Sequence, residues 1–254
     1  GIMTTPALTG LSPNQGPTAG GTTVTLTGTN LGDVTTVRFG TTATAFTIVS
    51  PTQITATAPP GSEGPVQITA ISPGGTSGGV AYYYVVLPTL TAVSPGQGPT
   101  AGGTTVTITG TNLLNATTVR FGGTAAAFSV VSATQITATS PPGSMGFAQI
   151  TVLTPGGTGG GAAFQYVALP TLTDLSPDQG PLTGGTTVTL TGSNLGDVTA
   201  VRFGGTAAAF TIVSATQITA TAPAGSAGAV QVAVTSPGGT SAGLTYTRIA
   251  LPGI

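Results

Sequence analysis

The chain has 254 residues with only four basic and five acidic side chains, no Lys, His, Cys or Trp, and a net charge of −1. So few cations cannot build the basic face that neutralises nucleic-acid phosphates, and without His or Cys the usual ligands of zinc, haem and iron–sulfur centres are missing. General acid–base chemistry has only five scattered carboxylates to draw on, so the sequence reads as non-enzymatic, with no cofactor.

Residues 1–5 precede the first periodic pattern. The opening residues lack the basic start and long apolar core of a signal peptide, and no apolar run approaches the roughly 18 residues that would cross a bilayer. No membrane insertion is expected. From Pro6 onward, 41 Gly and 20 Pro gather in short clusters between stretches dense in Thr, Val and Ile. That is the punctuation of an all-β chain, not of a disordered one.

The first clear strand is Thr23-Val24-Thr25-Leu26-Thr27, in which alternation turns Val24 and Leu26 inward and the threonines outward. In the next, Val37 and Phe39 face in and Arg38 faces out. Later strands carry Ile48, then Ile54 and Ala56, then Val66, Ile68 and Ala70, and finally Tyr82 and Tyr84, with Tyr83 turned outward. Turn clusters separate them at Gly20-Gly21, Asn30-Leu31-Gly32-Asp33, Pro59-Pro60-Gly61 and Pro73-Gly74-Gly75.

This pattern recurs every 82 residues without insertion or deletion. Asn30 returns as Asn112 and Asn194, Arg38 as Arg120 and Arg202, and Leu87-Pro88 as Leu169-Pro170 and Leu251-Pro252. A period of this size is a self-contained domain and not a solenoid unit. The expected division is an extension at 1–5, repeats at 6–87, 88–169 and 170–251, and a tail at 252–254. Six or seven short strands at spacings of about 8–12 residues describe a two-sheet immunoglobulin-type sandwich, here without the antibody disulfide and Trp. No Gly/Ser linker separates the repeats, and Pro stiffens each joint. Three tandem sandwiches with strands of about 33 Å then predict a rigid rod on the order of 100 Å.

The repeat resembles the IPT/TIG domain, an immunoglobulin-like fold shared by plexins, certain transcription factors and many bacterial surface proteins. The residues that carry the resemblance are Ser12-Pro13 through Gly16-Pro17, the run from Gly20 to Gly28, and Val37-Arg38-Phe39-Gly40. The runs from Thr52 to Pro59 and from Ser72 to Ser77 complete it. The Thr/Gly/Ala-rich, uncharged style is similar to that of bacterial extracellular members and implies a secreted or cell-surface location. Family membership implies a fold and not a single function.

Few residues stand out as sites. Arg38, Arg120 and Arg202 are the only charges that recur in all three repeats. They could meet a partner at regular intervals, or pair locally with Asp33 and Asp197, a partner that Asn115 denies to Arg120. The Asp/Asn/Asp alternation at that turn suits backbone capping better than chemistry, and no carboxylates cluster for calcium. Tyr83 is a single outward aromatic, a poor platform for sugars. Asn115-Ala116-Thr117 fits a glycosylation sequon by chance expectation. At the N-terminal end, Ile2 and Met3 could add to a neighbour's sheet edge.

The surface itself is the strongest functional clue. Soluble β-proteins guard strand edges with charge, whereas this one presents Thr, Ser, Ala, Gln and Gly at near-zero net charge, which promotes association. The sequence therefore predicts a structural rod that self-assembles into a filament, sheath or fibre. The alternative is a non-catalytic binding module or spacer, such as an adhesin stalk, meeting other surface proteins or glycans.

Overall fold

The computed structural model describes residues 3–253. In the first repeat, alternation of β-branched and small residues produces ten strands. These are β1 (Ala7–Ser12), β2 (Gln15–Pro17), β3 (Thr23–Thr29), β4 (Thr36–Phe39), β5 (Thr42–Thr44), β6 (Phe46–Ser50), β7 (Gln53–Thr57), β8 (Gly64–Ser72), β9 (Gly75–Thr76) and β10 (Val80–Val85). One sheet has the order β1-β3-β7-β6. The other runs β2-β10-β8-β4-β5, with β9 on β8. The β2–β10 pair is parallel, and its neighbours are antiparallel. The chain leaves the first sheet for the second between β1 and β2, where the Ser12-Pro13 bond is cis, as are Ser94-Pro95 and Ser176-Pro177.

The inward positions meet between the sheets. Val24 and Leu26 of β3 and Ile54 and Ala56 of β7 face Val37 and Phe39 of β4, Ile68 and Ala70 of β8, and Tyr82 of β10. Full burial of each large aliphatic side chain contributes about 1.5–3 kcal/mol. The rings of Phe39, Tyr82 and Tyr84 stack edge to face, each neighbouring pair with centroids 5.2 Å apart. The second and third repeats each enclose a separate core of corresponding residues, so the chain holds three tandem immunoglobulin-like sandwiches.

The third repeat reproduces the two sheets of the first, but the second differs. There Thr124–Ser132 and Gly157–Val167 run unbroken, and all strands join in one path of eight. For the unbroken Gly157–Val167 strand, one cause is visible in the sequence. Ser77 and Ser241 turn buried hydroxyls back to accept the backbone N–H of Ala70 and Val234. Gly159 stands at this position in the second repeat, and its backbone enters the ladder opposite Val152.

Two details correct the sequence reading. The short strands β2, β5 and β9 raise the count above six or seven. Ile48 is not a core residue but 37% exposed, because β6 is an edge strand whose register shifts between Ile48 and Ser50.

Candidate functional site

The joints between repeats are where recurring residues converge. Ser72 accepts the N–H of Gly74 on Oγ at 3.0 Å, and Thr154 and Ser236 do the same for Gly156 and Gly238. This holds the Pro-Gly-Gly turn flat against the incoming chain. A Cβ on Gly156 would stand 2.2 Å from the Val86 carbonyl oxygen, and one on Gly238 would stand 2.3 Å from that of Ala168. Only hydrogen fits there.

Asn112 and Asn194 hold the same joints from the other side. Both adopt left-handed backbone geometry, with φ of 59° and 55°, a conformation Asn tolerates better than most residues. Their Nδ2 atoms donate to the carbonyls of Leu87 at 3.3 Å and Leu169 at 3.2 Å. In the first repeat the same groove is filled by the extension. Asn30 donates to Thr5 O at 3.3 Å, and Gly74 lies against Thr4.

At the opposite end of each repeat, Tyr84 and Tyr166 donate their hydroxyls to Pro59 O and Pro141 O at 2.5 and 2.6 Å. Burial raises the pKa of both phenols, and that of Tyr82, above the usual value. In the third repeat this position is Arg248. Its Nε donates to Pro223 O at 3.3 Å, and its guanidinium lies across Gly225. The residue is only 6% exposed, and Nη2 is buried without a hydrogen-bond partner among the described residues.

Two clefts mark the ends of the repeats. One, about 280 Å³, lies between the second and third repeats, with Met145 and Tyr166 on one wall and Asn194 and Asp197 on the other. The second, about 480 Å³, lies at the outer end of the first repeat and is lined by Met3, Thr4, Asp33, Thr35 and the turn at Ser72. Asp33 there occupies the repeat position that Asp197 occupies in the joint.

The residues singled out from sequence are not brought together. Arg38, Arg120 and Arg202 belong to separate repeats, each donating Nη1 to a carbonyl three residues on, Thr41, Gly123 and Gly205. Their hydrogen bonds cap a tight hairpin turn; the acceptors are carbonyls, where the sequence reading weighed Asp33 and Asp197. Tyr83 is exposed on β10, paired with Pro65 across the strands. Met3 is exposed at the outer cleft, and Ile2 lies outside the described residues. Among the described residues no group of three or more His, Cys, Asp or Glu could hold a metal, and no helix is long and apolar enough to cross a membrane.

Other residues were not singled out. Arg248 replaces the tyrosine of the earlier repeats, a departure visible only by aligning them. Met145 and Phe147, 68% and 73% exposed, stand where the first repeat has Glu63 and Pro65 and the third has two alanines.

Comparison with known proteins agrees with the fold. The IPT/TIG domain matches at residues 6–84, 88–166 and 170–247. Rat Plexin-A3 is 29% identical over 209 residues, 75% of this chain and 11% of that protein. Human Plexin-A4 is 37% identical over 133 residues, 46% of this chain and 7% of that protein. The chain thus spans about a tenth or less of these relatives. A structure of the full extracellular region of Plexin A4 is similar at a TM-score of 0.46 and 24% identity, over 91% of this chain and 23% of that one.

Proposed function

The chain belongs to the IPT/TIG domain family, and from that premise we propose that it is an extracellular, non-catalytic spacer of three domains, with joints at Leu87-Pro88 and Leu169-Pro170. The observation that carries this reading is the way each joint is held. Asn112 grips the Leu87 carbonyl while Gly156 lies against Val86, so no slack segment separates one domain from the next. A spacer needs this property, because reach is lost where a chain can fold back. The nearly uncharged, cysteine-free surface suits exposure outside the cell.

Small-angle scattering from dilute protein tests the reading. A single narrow distribution with a maximum on the order of 100 Å, three strands of about 33 Å laid end to end, supports it. A broad distribution with compact members would sink it.

The second reading is ordered self-assembly through sheet edges. The edge strand β6 and its counterparts present Ile48 and Val49, Val130 and Val131, and Ile212 and Val213 to solvent in every repeat. Exposed apolar edge strands without charge are templates for pairing with another chain. Electron microscopy over a concentration series distinguishes the two. Filaments or sheets favour assembly, and dispersed rods leave the spacer.

A further inference from the structure

Among the described residues two aromatic side chains are exposed, Tyr83 at 47% and Phe147 at 73%. They lie in different repeats and on different strands, yet they occupy the same cross-strand pair. Tyr83 of β10 stands opposite Pro65 of β8, and Phe147 stands opposite Gln165 in the counterpart of that pair. In the third repeat the pair is Ala229 and Thr247. Alternation alone leaves Tyr83 a solitary ring; register gives it an equivalent one repeat on.

Amides flank both pairs. Gln15 is in register with Tyr83, and Gln97 with Gln165, across a parallel strand pair. One row along the same sheet face, Gln67 stands opposite Ala81 and Gln149 opposite Ala163. Side chains directly opposite each other have Cβ atoms about 5 Å apart, and successive rows on one face are about 7 Å apart. The third repeat shows how such an amide is satisfied internally. There Gln231 donates Nε2 to Thr245 Oγ1 of the facing strand at 3.0 Å. Ala81 and Ala163 replace that hydroxyl, so the Gln67 and Gln149 amides face no polar side chain across the strands. The first two repeats thus set an exposed ring beside an open amide, and the third has neither.

The chemistry of the two faces identifies their occupant. A ring face takes up an apolar surface, and a neighbouring amide, which both donates and accepts, takes up hydroxyls. A pyranose offers both at once, C–H groups on its face and hydroxyls at its rim. Charge narrows the class further. Residues 88–169 hold one charged side chain, Arg120, whose Nη1 is already committed to Gly123 O. Glu63, two residues before Pro65, repels anions from the first repeat's face. We propose that Tyr83 with Gln67, and Phe147 with Gln149, are two platforms for an uncharged polysaccharide whose sugar rings stack on the aromatic faces. The inference goes beyond the spacer reading and does not rest on it, since scattering reads the shape of the chain and ligand titration reads the platforms.

Isothermal titration of the full chain with hydroxyethyl cellulose and galactomannan, both uncharged, and with alginate, a polyanion, tests the proposal. Tyr83→Thr and Phe147→Ala each install the residue that the third repeat carries at that position, so the fold already accepts both. The wild type is expected to bind a neutral polymer and not alginate. Each single exchange is expected to weaken its own platform about tenfold, the scale of one aromatic contact, and to leave the other intact. The double exchange is expected to weaken overall binding by at least that factor. Ala81→Thr combined with Ala163→Thr keeps both rings but gives the amides the internal partner that Gln231 has, and is expected to weaken binding as well. Failure to bind either neutral polymer overturns the proposal, and so does equal binding of alginate. A double exchange that binds like wild type also overturns it. So does one that instead abolishes self-association in sedimentation, which would assign the rings to a contact between copies.

Discussion

Asn112 donates its side-chain amide to the carbonyl of Leu87, 25 residues earlier in the chain, across 3.3 Å. The same left-handed Asn serves the next joint through Leu169. One residue thereby does two things: its backbone makes a turn that most side chains resist, and its amide fixes the segment entering the domain. The two roles separate by substitution. Asn112→Gly keeps the turn and loses the hydrogen bond, an expected cost of about 1 kcal/mol. Asn112→Ala adds the left-handed penalty of about 1–2 kcal/mol. Thermal melts rank the two, and proteolysis at 85–88 is expected to accelerate in both variants because both release the Leu87 carbonyl.

The Pro-Gly-Gly turn gives a second test. Gly156→Ala places a methyl carbon 2.2 Å from Val86 O, so the linker or the turn must shift. The expected loss is about 2–3 kcal/mol, in the upper range for single substitutions. Gly123→Ala is the matched control. No atom lies within 4 Å of the added carbon, and the change is expected to stay within about 0.5 kcal/mol. Equal melting temperatures for the two variants would show that the joint tolerates displacement.

Much of this architecture is legible in the sequence because two periodicities coincide. Alternation within strands places Val24, Leu26, Ile54 and Ile68 in the core, where each is fully buried, and the 82-residue recurrence divides the chain into domains. Recurrence also flags Asn30, Asn112 and Asn194, but not their acceptors, which lie 25 residues away and are defined only by the fold. Arg38 and its counterparts recur for a local reason, the carbonyl of a tight turn three residues on. Arg248 is the opposite case. Arginine is almost never fully buried unless paired, so a reading by residue type leaves it on the surface. Its position shows only when the third repeat is laid over Tyr84 and Tyr166. Ile48 misleads because alternation cannot distinguish an edge strand from a central one.

Among the described residues Tyr82 and Tyr246 bury hydroxyls that make no hydrogen bond of good geometry, the Thr22 side chain being the polar group that acts on Tyr82, whereas the middle repeat has Phe164 at the same place. Tyr82→Phe and Tyr246→Phe therefore remove a desolvated polar atom without altering ring packing against Phe39 or Phe203. Each is expected to stabilise its domain by about 1 kcal/mol, the lower end of the penalty for an unsatisfied buried group. Denaturant unfolding reads this directly. A loss of stability in Tyr82→Phe would mean that the hydroxyl is satisfied, with the Thr22 side chain as its partner.

Alkaline pH acts on the same rings. Burial holds Tyr82, Tyr84 and Tyr166 protonated above the usual phenol value of about 10. In the unfolded chain they ionise near that value, so above it the unfolded state binds fewer protons than the folded one and stability falls as pH rises. The contribution is fully present below about pH 10 and is lost on climbing toward the folded-state pKa. Melting temperature is therefore expected to be flat through neutral pH with respect to these groups and to drop above about pH 10, with phenolate absorbance rising together with unfolding. Tyr84→Phe removes one ionising ring from the first repeat, together with its bond to Pro59 O. That variant starts less stable by about 1 kcal/mol but loses less on the alkaline side. The two melting curves are thus expected to converge with pH. Parallel curves would show that Tyr84 titrates alike in both states, and that the alkaline loss comes from other groups.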